Sequence, residues 1–221
     1  MKTIALPGLD RLLGVCQRRG LKVMTTPPGP TPPLEGTQLE GHPLDPMLTA
    51  FYSRFGRAVF APESAGMGLF EWDERADGLE TQNRQWQQHW QEQLPLPLFV
   101  FGGESGLAHY YATVPEFADA EGHQPVLRVN TYEDPYALPI ASNVDRFFDT
   151  YSRYLEALVT HPDYDEERGA ALIFPWGVPH LLARDERLVA LMRAGHFDPV
   201  LPKDLDGSVR RWVAQVVGAQ S

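Results

Sequence analysis

Short strand-like runs in the centre of the chain, followed by long amphipathic helices without strand–helix–strand alternation, predict an α+β fold. Two stretches carry most of that reading. Pro97–Tyr111, PLFVFGGESGLAHYY, is an apolar run closed by Gly102 and Gly103 and then resumed at Tyr110 and Tyr111, as two neighbouring strands joined by a short loop are. Val144–Leu158 places Val144, Phe147, Phe148, Tyr151, Leu155 and Leu158 on one helical stripe.

Taken in order, the first element is a helix. Leu9, Leu12, Leu13 and Cys16 share one face, Arg18 and Arg19 complement the dipole of its last turn, and Gly20 stops it. TTPPGPTPPLEG follows; Pro27, Pro28, Pro30, Pro32 and Pro33 lack amide donors and fix φ, which predicts an extended surface connector. A second helix opens with Asp45 as N-cap and Pro46 at its first position. Leu48, Phe51, Tyr52 and Phe55 make its core-facing stripe, and Gly56 is expected to close it.

Strands are predicted at Ala58–Phe60 and Leu69–Trp72, then an exposed Gln-rich helix between Ala76 and Leu94 that docks by Trp86 and Trp90. Leu98–Gly102, His109–Val114, Val126–Val129 and Tyr136–Pro139 read as further strands, each with a buried face. Ser142 or Asn143 caps the long helix, and HPDYDEERG is a charged break after it. The C-terminal piece holds an apolar strand or loop in ALIFPWGVP, a helix over Asp185–Ala194 and a last amphipathic helix over Ser208–Val217.

Composition narrows the functional classes. The 221 residues carry 19 basic against 29 acidic side chains, a net charge of −10, which disfavours nucleic acid and favours either simple solubility or a basic partner. Cys16 is the only cysteine, so an internal disulfide and a thiolate cluster are excluded. Pro7, Asp10 and Arg11 interrupt any apolar leader, and no run approaches the ~20 apolar residues that cross a bilayer. These features predict a cytoplasmic protein that uses no membrane.

Catalytic motifs are weak. Neither a GxxxxGK[ST] nor a GxGxxG loop occurs, and the seven histidines lack HxxxH, HExxH or HxH spacing, so neither a cofactor nor a local metal site is expected. Ser105 in GGESGL misses the nucleophile-elbow spacing, because Leu107 stands two residues after it. A hydrolase built on Ser105 and His109 would also need an orienting carboxylate. Around Trp72 lie Glu71, Asp73, Glu74, Asp77 and Glu80, opposed by Arg75 alone before Arg84. Such a run is either a solvated face or an electrostatic landing site with an aromatic anchor.

The order of elements resembles the SUKH superfamily, the Smi/Knr-like proteins. The resemblance spans Pro43 to Val159 and is carried by several motifs in sequence: Phe51, Tyr52 and Gly56; Gly68, Leu69 and Phe70; Phe101, Gly102, Gly106, Tyr110 and Tyr111; Pro125 and Val126; and Ala141, Ser142, Phe147 and Phe148. It implies a mixed, largely antiparallel sheet flanked by helices, here with an extra helical C-terminal segment. Residues 1–36 are then an N-terminal helix and Pro-rich connector, 37–160 the core, and 161–221 a helical extension packing on it. It also implies a non-catalytic binding module, either an immunity protein that occludes a basic, nuclease-type toxin or a regulatory scaffold. The partner-binding candidates are Glu71, Trp72, Asp73, Glu74, Asp77 and Glu104.

Overall fold

The computed structural model describes residues 4–64, 66–72, 78–104, 106–132, 134–165, 171–203 and 207–218. Helix α1 (Pro7–Arg19) begins with proline at its first position, where a missing amide hydrogen costs nothing, and ends at Gly20. It buries Leu9, Leu12, Val15 and Cys16 against α4 (Val144–Val159). Leu6, at the N-cap of α1, offers no side-chain acceptor, and α4 supplies one instead. The Asp145 carboxylate accepts from the amides of Gly8 at 2.9 Å and Leu9 at 3.2 Å. The two helices approach so closely there that a Cβ on Gly8 would run into the Asp145 backbone oxygen. The N-terminal segment therefore belongs to the same continuous core as the rest, a single cluster that runs from Leu6 to Val216.

Val23–Thr26 forms strand β1, antiparallel to β4 (Arg57–Phe60). Thr25 and Thr26, read from the sequence as the start of the connector, pair at this edge, and the chain leaves the sheet at Pro27, which has no amide to donate. A small hairpin, β2 (Gln38–Leu39) and β3 (His42–Pro43), turns on Glu40 and Gly41, both at positive φ. Helix α2 (Pro46–Tyr52) is capped by Asp45 as expected but ends at Ser53, before Gly56. Gly56 instead lies where a Cβ would meet the Pro27 carbonyl oxygen at 2.6 Å, and its amide donates to Thr26. It is a close-approach glycine, not a helix stop. Burial pushes Asp45 up to about 6, although the amides of Gln124, Met47 and Leu48 all donate to it.

The main sheet runs β1-β4-β5-β6-β7-β8-β9, with β5 (Met67–Leu69), β6 (Phe99–Glu104), β7 (His109–Thr113), β8 (Val126–Asn130) and β9 (Tyr136–Ala141). Each of its pairings is antiparallel, so the fold is α+β with an antiparallel meander at its centre. Helix α3 (Leu79–His89) covers one face. Trp86 packs edge-on to Tyr110, and the Asn83 amide group both donates to and accepts from the Val100 backbone beside a bulge in β6. The opposite face meets α4 through Phe101, Tyr111 and Phe147.

Helices α5 (Pro179–Leu182), α6 (Glu186–Arg193) and α7 (Ser208–Gly218) gather beyond β9 and the end of α4. Asp185 ties them in: one oxygen caps α6 at the Leu188 amide, the other accepts from Ser142 at 2.6 Å. The apolar stretch before α5 makes turns and no strand, and its Trp176 packs at a tilt against Trp212 of α7. No helix among the described residues is long and apolar enough to cross a membrane.

Candidate functional site

Alternate residues of a strand share a face, so the pairing of β6, β7 and β8 gathers four polar side chains on the α4 side of the sheet. Arg128 stands directly opposite Tyr111, Tyr111 opposite Gly102, and Glu104 lies two residues beyond Gly102. His109, two residues before Tyr111, completes the set. Arg128 grips Glu104 with two bonds, Nε to Oε1 at 2.6 Å and Nη2 to Oε2 at 3.0 Å. The Tyr111 hydroxyl donates to Oε1 at 3.1 Å. Only 5% of the Arg128 side chain and 15% of the Glu104 side chain are exposed, so the pair is screened little by solvent.

Burial alone would raise the Glu104 carboxyl. Its hydrogen bonds with His109 and Arg128 and the guanidinium charge outweigh that and hold it at about 2. Tyr111, buried beside that carboxylate, is pushed well above the usual phenol range.

His109 Nδ1 lies 3.1 Å from Glu104 Oε2 and 2.9 Å from Arg128 Nη2. One ring nitrogen serves one of these partners at a time. With its proton on Nδ1 the ring donates to Glu104, and with Nδ1 bare it accepts from Arg128; either way Nδ1 is engaged within the cluster.

These groups form the floor of a pocket of about 230 Å³ between sheet and α4. Tyr151, Tyr154 and Phe174 are aromatic walls, held by ring contacts at 5.1–5.5 Å. Ser64 lies at the side, its Oγ 2.8 Å from the Tyr164 hydroxyl. Leu107 and Ile173 flank the opening, and Tyr132 packs edge-on to His109 with centroids 6.0 Å apart.

The sequence-derived candidates separate in space. Glu104 pairs with Met67 at one end of β5, whereas Glu71 and Trp72 follow its other end. Glu71 belongs to a backbone bridge to Gly78, and its carbonyl accepts from Leu79. Trp72 is half-buried, its ring packed at a tilt against Tyr52 with centroids 5.5 Å apart, and its Nε1 donates to the Thr31 carbonyl at 2.9 Å. It fastens the Pro-rich segment over a cleft of about 480 Å³ that Leu39, Leu79 and Glu80 also line. Asp73, Glu74, Asp77 and Ser105 lie outside the described residues. Arg128 escaped sequence reasoning; its signal was a lone cation at an inward position of VLRVN, which requires a buried anion nearby.

Two other reactive groupings are engaged or inert. Asp119, Glu121 and His123 bring possible ligand atoms within 4.8 Å of one another. Asp119, however, already accepts from Arg187 at 2.6 Å and from the amides of Glu121 and His123. Burial, aided by the charge of Glu63, pushes the Cys16 thiol up to about 11, far from thiolate reactivity. No protein family, curated protein or solved structure matches the chain.

Proposed function

We propose that this chain is a non-catalytic protein-binding module. In the form the SUKH resemblance implies, it is a cytoplasmic immunity protein that neutralises a basic toxin by covering its surface. One observation carries the proposal: Glu104, Arg128, His109 and Tyr111 are bonded to one another. A carboxylate held at about 2 is a poor proton donor at neutral pH, and the His109 Nδ1 is already engaged by Glu104 or Arg128. The cluster sets the shape of the pocket instead of moving protons. The net charge of −10 supports a basic partner, because opposite fields speed encounter and select partners.

The test is affinity capture from the source organism with the full chain as bait, at low salt and again at about 1 M, where the Debye length falls to ~3 Å. A basic protein retained at low salt and released faster at high salt is the expected result. Recovery of chaperones alone would contradict it, as would turnover by the purified chain that His109→Ala abolishes.

A further inference from the structure

We propose that the mouth of the Glu104 pocket is the docking surface, and that it receives one donor-tipped aromatic side chain, tryptophan or tyrosine, from a basic protein. The inference rests on the binding-module reading and deepens it by naming the surface and the anchor. Large apolar side chains are well exposed at five described positions, Met24, Leu34, Leu107, Tyr132 and Ile173. Leu107 (50% exposed), Tyr132 (53%) and Ile173 (64%) all stand around this one opening. Apolar residues gathered at a concavity mark a contact site, whereas scattered ones need no explanation.

The size and chemistry of the pocket select the occupant. At about 230 Å³ it falls below the ~300–1,000 Å³ of pockets that enclose drug-sized ligands, and it suits a single ring. Its walls are aromatic, which favours a ring packed edge-to-face. Where His109 Nδ1 accepts from Arg128, and so does not donate to the carboxylate, Glu104 Oε2 keeps a lone pair beyond its bond to Nη2. An indole N–H or phenol O–H can take it; a phenylalanine leaves it unused. A lysine or arginine tip is disfavoured, because Arg128 already neutralises Glu104 where neither side chain is much exposed.

Charge around the opening identifies the surface that presents the ring. Asp163 precedes Tyr164, which bonds Ser64 in the pocket wall, and its side chain is 86% exposed. Asp134 shares a loop with Tyr132 and is 82% exposed, in a pair with the 76% exposed Lys203 that contributes little. Glu63 neighbours Ser64 and accepts from the Lys22 amide. An aromatic-walled pocket whose adjoining segments carry Glu63, Asp134 and Asp163 complements an aromatic anchor flanked by lysine or arginine.

The probe is a blocked peptide with one tryptophan flanked on each side by lysines, titrated into the ¹⁵N-labelled full chain and followed by amide chemical shifts. Shifts are expected at Leu107, His109, Tyr132 and Ile173. Affinity should fall about tenfold or more when the tryptophan becomes alanine, or when the protein carries Ile173→Arg or Leu107→Arg. Met24→Arg and Leu34→Arg, at exposed apolar positions away from the pocket, should leave it unchanged. All four protein variants are at the surface, and an unchanged amide spectrum elsewhere verifies their fold. Equal binding of the alanine peptide, shifts centred on the Trp72 cleft, no shifts, or indifference to Ile173→Arg would each overturn the inference. Captured basic protein that binds wild type and Ile173→Arg alike would overturn this surface while sparing the binding-module reading; capture of none would overturn that reading itself.

Discussion

The cleft beneath Trp72 and the pocket above Glu104 divide their residues in opposite ways. At the cleft the aromatic side chain is engaged internally: its ring packs against Tyr52, and its N–H holds the proline-rich segment in place. At the pocket the charges are engaged internally, while the apolar residues at the rim are left to solvent. The contrast teaches that an aromatic residue beside acidic ones is no evidence of an interface by itself. What matters is whether its polar tip and its faces already have partners within the chain.

The sharpest way to break the comparison is to remove the cation beneath the pocket. Arg128→Met leaves Glu104 buried without its counter-charge and should cost about 3–5 kcal/mol in urea unfolding. The double variant Glu104→Leu, Arg128→Met should recover much of that loss, since a packed apolar pair often replaces a buried ion pair at little cost. A single variant with wild-type stability would show that the pair does not shape the site.

Two carboxylates, one buried and one largely so, give the next effect, with opposite signs. The folded pKa of Glu104 is depressed from 4.5 to about 2, so its contribution is present above 4.5 and is lost as pH falls toward 2. Asp45 is raised from 3.8 to about 6, so its contribution is present below 3.8 and is lost as pH rises through about 6. Stability measured from pH 2 to 7 should lose its acid limb in Glu104→Gln and its decline between about pH 4 and 6 in Asp45→Asn. The two differ because a guanidinium faces Glu104, whereas the hydrogen bonds to Asp45 come from neutral amides.

At the cleft, Trp72→Ala should cost about 2 kcal/mol, less than the ~3–5 of a fully buried ring, and Trp72→Phe about 1 kcal/mol for the bond to Thr31. The smallest change is expected at the pocket rim, where Ile173→Ser should alter stability by no more than about 0.5 kcal/mol. Equal losses at Trp72 and Ile173 in thermal or urea unfolding would erase the distinction between an internally engaged residue and an open one.

Much of the fold was legible because local signals agreed with tertiary packing. The Asp45–Pro46 start, the Asn143 cap and the aromatic stripe of α4 each have a short-range cause. Where sequence reasoning missed, the cause lay far along the chain. Gly56 is fixed by Pro27 and not by a helix end, and α1 takes its cap from Asp145, 137 residues away. The same holds at the site. Glu104 was visible as an acidic residue in a glycine-rich turn, but the strand register that turns it toward Arg128 is set by pairings no local pattern encodes. The exposed trio is drawn from three separate loops, so nothing in the sequence announces it.

The most direct test of the central claim is the dissociation constant of the captured basic protein, measured in parallel for the wild-type chain, Ile173→Arg and Leu34→Arg. The account predicts a loss of about tenfold or more for Ile173→Arg and wild-type affinity for Leu34→Arg. Equal affinity for all three would contradict it.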